Sequence, residues 1–341
     1  MAVGKTLGSR LPIIQAPMAG SQDSRLALAV CAAGGVGSIP AAMLSSDALA
    51  AELECMQTAA GPWNVNFFCH QAPPADVAVE QRWRESLAPY YAEFELDAGK
   101  APSGAGRQPF SRELLDILAD CPPPLVSFHF GLPAADLLAQ VKTLGCKVLA
   151  SATTVAEARW LEQNGADLII AQGLEAGGHR GMFLSDDIST QVGIFALLPQ
   201  VVAAVSVPVI AAGGIADPAG VRAATALGAS AVQVGTAYLL CPEAITSAVH
   251  RAALQAPGAE HTALTNLFSG RPARGIVNRL MREQGPMSEL APAFPQAGNA
   301  LAPLRKAAEA AQSGDFSPLW AGQHIPDKVR SAAELTRWLG H

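Results

Sequence analysis

The sequence predicts an α/β chain built as a parallel (β/α)8 TIM barrel, on three observations. Eight short apolar runs recur along the chain, most of them separated by helix-length segments. Glycine-rich turns follow the last two runs, where barrels of this kind hold phosphate. The competing open doubly wound sheet lacks its signature, because neither Gly35-Val36-Gly37 nor Gly104-Ala105-Gly106 supplies the third glycine of G-x-G-x-x-G.

The first run, 11–18, ends in Ala16-Pro17-Met18 and leads into a helical pattern over 24–33. A second strand over 35–39 precedes Ser45 or Ser46 as N-cap of a helix over 48–59. Strand three covers 63–68 and carries Asn66 near its carboxyl end. The regular beat then breaks over 69–124, a long excursion with a polar helix over 78–94 and a Gly/Pro-rich connector over 99–109. Strands four to eight follow at 125–130, 147–152, 168–171, 207–212 and 231–234, with Thr154 and Asp217-Pro218 marking helix starts. Residues 242–312 read as a mainly helical cap near the C-terminus. Residues 1–241 and 313–341 form the barrel, closed by a helix over 332–339.

Composition removes several function classes. Only 15% of the residues are charged, the net charge is -6 and no Lys/Arg cluster occurs, so a nucleic-acid surface is not expected. Six scattered cysteines without a C-x-x-C pair argue against a metal centre or disulfide framework and read as buried thiols. No signal peptide is evident, and the chain is expected in the cytoplasm. The uncharged stretch 193–216 has the length of a membrane span, but its prolines and glycines divide it into a helix and a buried strand, so no membrane partner is expected.

The chemistry gathers after the strands. Strand six runs into Gln172-Gly173-Leu174-Glu175-Ala176-Gly177-Gly178-His179-Arg180-Gly181, where glycines admit a flat ligand and one imidazole stands ready for acid–base work. Glu175 and Arg180 either orient His179 or pair with each other. His129, ending strand four, is a second catalytic candidate, although a strand-end histidine also serves as partner for a backbone carbonyl. Gly213-Gly214 and Gly235-Thr236 follow strands seven and eight as phosphate loops. A phosphorylated planar cofactor satisfies all of this, and FMN is the economical choice. Asn66, Gln172 and Gln233 would offer amides to it, and Ala16, Pro17 and Met18 an apolar wall.

These motifs resemble the nitronate monooxygenases, formerly 2-nitropropane dioxygenases, over nearly the whole chain. The resemblance is carried by Gln15-Ala16-Pro17-Met18-Ala19-Gly20, Ser127-Phe128-His129-Phe130-Gly131, the 172–181 loop, 211–215, Gln233-Val234-Gly235-Thr236 and Leu319-Trp320-Ala321-Gly322-Gln323. The Gly-His-Arg-Gly and Phe-His-Phe-Gly strings are closest to the class I branch. The resemblance implies a (β/α)8 FMN enzyme with cofactor contacts from Asn66, Gln172, Gly177, Gly214 and Gln233 through Thr236; the adjacent Gly178 and Gly213 are expected to join them from the same loop and turn. It also implies His179 as the active-site histidine, holding and neutralising a nitronate anion or deprotonating a nitroalkane. The implied reaction takes an alkyl nitronate and O2 to a carbonyl compound and nitrite, in a monomer or homodimer. Phe294-Pro295 stands where the family pattern has Tyr-Pro, which bears on substrate preference. The alternative on the same fold is an NAD(P)H-dependent flavin reductase of the enoyl-acyl-carrier-protein or quinone type.

Overall fold

The computed structural model describes residues 7–71, 73–74, 76–97 and 107–341. Most of the connector expected over 99–109 lies outside them. The barrel strands are β1 (Ile13–Gln15), β2 (Gly37–Pro40), β3 (Trp63–Phe68), β4 (Leu125–His129), β5 (Lys147–Ala152), β6 (Leu168–Gln172), β8 (Val209–Ala212) and β9 (Ala231–Val234). A two-residue strand, β7 (Gly178–His179), interrupts the count outside the barrel. Every neighbour pair is parallel, in the order β1-β9-β8-β6-β5-β4-β3-β2, and a parallel bridge from Ile14 to Val36 brings the two edges together.

Alternation along each strand divides the core. On β6, Leu168 and Ile170 join Ile14, Leu149 and Ile210 inside the barrel, while Ile169 and Ala171 point outward to the helices. The helical layer comprises α1 (Ser24–Ala33), α2 (Ser46–Met56), α5 (Ala135–Thr143), α6 (Val155–Gln163), α7 (Ile194–Ala204), α8 (Pro218–Ala226) and α12 (Ala332–Leu339). Side chains fix several starts. Ser45 accepts from Ala48 N, so α2 begins two residues before the predicted position. Asp217 accepts from Gly220 N with Pro218 in the first turn. The closing helix α12 packs on the barrel through the Tyr238 hydroxyl, 2.8 Å from Thr336 Oγ1.

Three expectations need adjustment. The 11–18 run yields only a three-residue strand, because Pro12 and Pro17 flank it and donate no ladder bond. The excursion contains, besides α3 (Val77–Glu93), a second helix, α4 (Arg112–Asp120), whose N-cap Ser111 and apolar Leu115 and Leu118 were available as signals. Of the six cysteines, Cys31, Cys146 and Cys241 are buried but Cys55 is exposed. The uncharged 193–216 stretch divides into α7 and β8, and no described helix is long and apolar enough to cross a membrane.

The 242–312 segment carries α9 (Ala248–Gln255), α10 (Arg279–Glu283) and α11 (Gly298–Ala310). With them comes a hairpin absent from the sequence reading, β10 (Thr262–Thr265) and β11 (Ala273–Ile276). Helix α3 packs here too: Trp83 Nε1 donates to Ala297 O at 3.0 Å, and the Tyr91 hydroxyl donates to Ala300 O at 2.6 Å. The excursion thus supplies a wall of the cap.

One close approach gives a stability prediction. A Cβ on Gly37 would lie 2.7 Å from the Ala27 carbonyl carbon, where α1 crosses β2. Gly37→Ala is expected to destabilise the chain by about 3 kcal/mol through overpacking. An unchanged midpoint in chemical denaturation would refute this.

Candidate active site

A cavity opens at the carboxyl ends of the strands, lined by barrel residues together with His250, Trp320, Gly322 and His324. Its lining contains Ala16, Pro17, Met18, Asn66, His129, Gln172, Gly177, Gly178, His179, Gly213, Gly214, Gln233, Gly235 and Thr236. Val234 is the predicted site residue that does not line it. Its side chain is buried between sheet and helices, and its carbonyl accepts from Ala16 N at 2.8 Å.

The apolar wall is held from behind. Gln22 Oε1 accepts from Met18 N at 2.8 Å and from Gln15 Nε2 at 2.6 Å, fixing the turn that carries Ala16, Pro17 and Met18. On the opposite side, Gly213 and Gly214 adopt φ of +113° and +70°, a conformation that glycine reaches without Cβ strain. They lead into the N-terminus of α8. Gln233 Oε1 is buried with no hydrogen-bond partner, although it belongs to a residue on the cavity wall. An orphaned buried acceptor costs free energy unless a bound group donates to it. A Cβ on Gly178 would meet nothing within 4 Å, so open space lies beside the loop. Apolar wall, left-handed glycine turns and orphaned amide together fit a flat phosphorylated group.

The 172–181 loop is clamped to the barrel. Arg180 is fully buried and donates to Gly173 O (2.6 Å), Gln172 O (2.8 Å) and Gln191 Oε1 (2.9 Å). Both Glu175 oxygens accept from Ile194 N at the start of α7. Neither residue touches the His179 imidazole, and they do not pair with each other. Each holds backbone instead. Gln172 likewise spends its amide on the loop, donating to His179 O at 2.9 Å and accepting from Gly181 N at 2.8 Å. Arg180→Met leaves three acceptors without their donor and is expected to cost about 3 kcal/mol. A thermal midpoint within error of wild type would contradict that reading.

His129 follows the second of its two readings, as partner of a backbone carbonyl. Its Nε2 lies 3.1 Å from the His179 carbonyl, which only accepts, so Nε2 carries the proton and Nδ1 accepts from Ser151 Oγ at 3.0 Å. With both nitrogens engaged, His129 positions His179 rather than meeting a substrate.

His179 lies on β7, which pairs antiparallel with β11 of the cap, Ala273 opposite His179. Its ring stands 5.4 Å from the ring of Phe294 and 5.6 Å from that of Trp320. Phe130, held at a strained φ of +69°, adds a third face at 6.0 Å. Ser269 Oγ donates to Arg271 O at 3.3 Å, which leaves its oxygen to accept from His179 Nε2 at 2.8 Å and makes Nδ1 the basic nitrogen. Burial, followed by the charge of Arg107, holds the imidazole well below its ordinary value of 6.5. It is neutral at pH 7. In this state it can accept a proton or a hydrogen bond, and burial works against its carrying the countercharge of an anion.

His70, His129 and His250 are each pushed down to about 4, with burial the leading cause. Their folded values lie below the unfolded value of about 6.5, so below that pH the unfolded chain binds more protons. Stability is present above pH 6.5 and is lost as pH falls toward 4. The thermal midpoint is expected to start falling near pH 6.5, and a flat profile down to pH 5 would overturn this.

Several cavity residues were missed in the sequence: Arg107, His250, Trp320 as a ring neighbour of His179, and Ser269, which lies behind the wall. Ser269 had a local cue in the Ser-Gly turn preceding β11. Arg107 and His250 had none, because only the tertiary fold brings their segments to the barrel mouth.

A family model described as nitronate monooxygenase matches residues 3–340. A nitronate monooxygenase of Pseudomonas aeruginosa is 43% identical, the match covering 98% of this chain and 97% of that one. One from Paraburkholderia phytofirmans is 41% identical over 93% and 87%. Among solved structures, nitroalkane oxidase from Streptomyces ansochromogenes superposes with a TM-score of 0.90 at 40% identity, covering 99% of this chain and 96% of that one. FabK from Thermotoga maritima is more distant, with a TM-score of 0.71 at 27% identity over 99% and 94%.

Proposed function

From the premise that the chain belongs to the nitronate monooxygenase family, a family of flavin-dependent oxidoreductases, we propose that it uses FMN to oxidise alkyl nitronates, and nitroalkanes, with O2 to a carbonyl compound and nitrite. The observation that carries this reading is the sharing of one cavity by His179, the apolar wall and the glycine turns after β8 and β9. A bound flavin supplies the electron acceptance and oxygen chemistry.

The chain's own residues do the rest. Gly213, Gly214, Gly235 and Thr236 would hold the phosphate at the ends of β8 and β9, and Gln233 Oε1 would accept from the cofactor. Ala16, Pro17 and Met18 would pack against the flat ring. His179 Nδ1 would take the α-proton of a neutral nitroalkane, with Ser269 and His129 fixing the ring and its backbone. For a substrate that arrives as the nitronate, no proton needs removing and His179 orients it. Phe294 is buried against the His179 ring and is not among the lining residues, so the hydroxyl a tyrosine would add there is missing behind the histidine. In this scheme the barrel (1–241 and 313–341) carries the cofactor and the cap (242–312) shapes the substrate end, in a cytoplasmic monomer or homodimer.

The test is oxygen uptake by the purified protein with a preformed alkyl nitronate and no nicotinamide nucleotide, together with identification of the cofactor released on denaturation. Rapid uptake with nitrite release and FMN as the released species is the expected result. Released FAD would refute the phosphate assignment. Turnover only with NADH or NADPH would move the chain to the reductases.

A further inference from the structure

We infer that Arg107 supplies the positive charge against which a nitronate anion is held, making it a specificity-determining residue for the charged form of the substrate. This rests on the nitronate-oxidising reading above. Arg107 lines the same cavity as His179. Its guanidinium carbon lies 5.6 Å from the centroid of the Phe294 ring, and that ring is 5.4 Å from the ring of His179. Guanidinium and imidazole therefore both lie against one aromatic side chain, Phe294, and both line the cavity.

Among the described residues, no opposite charge is seen to act on Arg107. Burial lowers its pKa, and the further charge acting on it is another cation, Arg305. No carboxylate among the described residues pairs with it. A guanidinium stays protonated in proteins, so the half-buried Arg107 presents a positive charge to the cavity. An entering anion would pair with it.

The other arginines around the site are committed elsewhere. Arg180 and Arg274 donate to backbone carbonyls of the 172–174 segment. Arg271 lies over the Phe130 ring at 4.4 Å and has Asp186 at 3.8 Å. Of the arginines around the site, Arg107 is the one that lines the cavity beside His179. The two oxygens of a nitronate are coplanar and share one negative charge, which matches the two-pronged donor edge of a guanidinium.

The experiment compares wild type, Arg107→Met and Arg107→Lys on a nitronate and on its parent neutral nitroalkane, each as kcat/KM. It adds calorimetric titration of the flavin-loaded proteins with nitrate, a planar monoanion that cannot be oxidised. Loss of a charge-assisted contact is expected to lower the nitronate-to-nitroalkane ratio of Arg107→Met roughly 10- to 100-fold, chiefly through KM for the nitronate. Nitrate affinity is expected to fall in parallel, and Arg107→Lys to recover most of both. An unchanged ratio with unchanged nitrate affinity overturns the proposal. So does an equal loss on both substrates, which would mark Arg107 as structural. If wild type oxidises no nitronate, the functional reading fails, yet the nitrate titration still decides whether Arg107 forms an anion site.

Discussion

A His179→Asn variant is expected to purify yellow, with wild-type flavin content, and to lose on the order of 100- to 10,000-fold in kcat/KM for a neutral nitroalkane, the range that removal of a positioned base produces. The loss on a preformed nitronate is expected to be smaller, because that substrate requires no proton abstraction. The asymmetry follows from the neutral imidazole and the Ser269 bond that makes Nδ1 its basic nitrogen. Equal losses on the two substrates would show that His179 acts on a step common to both. Full activity on both would remove it from the mechanism.

The second large effect is expected at Gly214. Its φ of +70° is unfavourable for any side chain, and a Cβ there would sit 3.3 Å from Glu175 Cβ. Gly214→Asp adds a carboxylate at the turn assigned to the phosphate, beside one that is already present. The variant is expected to lose at least about tenfold in flavin affinity, read by fluorescence of released cofactor during dialysis, since like charges at close range repel. Retention of flavin at wild-type affinity would move the phosphate away from β8.

Those assignments were readable in the sequence for a physical reason. Apolar runs of strand length, glycines that allow left-handed turns and side-chain caps such as Thr154 and Asp217 act over a few residues, so a linear reading finds them. What the sequence hid depends on distant partners. His129 reads as a catalytic imidazole or as the partner of some backbone carbonyl, and only the fold shows that the carbonyl is that of His179, fifty residues away. Arg180 reads as a surface charge beside a histidine, yet it is the buried clamp of the loop. The hairpin β10–β11 was missed because its strands are four residues each and one carries Arg274, whose charge is absorbed by carbonyls that only the folded loop provides.

The pairing of β7 with β11 has a consequence for how relatives of this chain can diverge. His179 belongs to two structures at once: its ring is tethered by Ser269 of the 242–312 segment, its carbonyl is gripped by the barrel, and the next amide, Arg180 N, donates to Pro272 O. Grafting the 242–312 segment from another member onto this barrel would therefore not be a neutral exchange of lids. The graft would bring its own seat for the imidazole, and a shift in the turn at 269–272 would reach the reacting atoms directly. Substrate range and reactivity are mechanically inherited together.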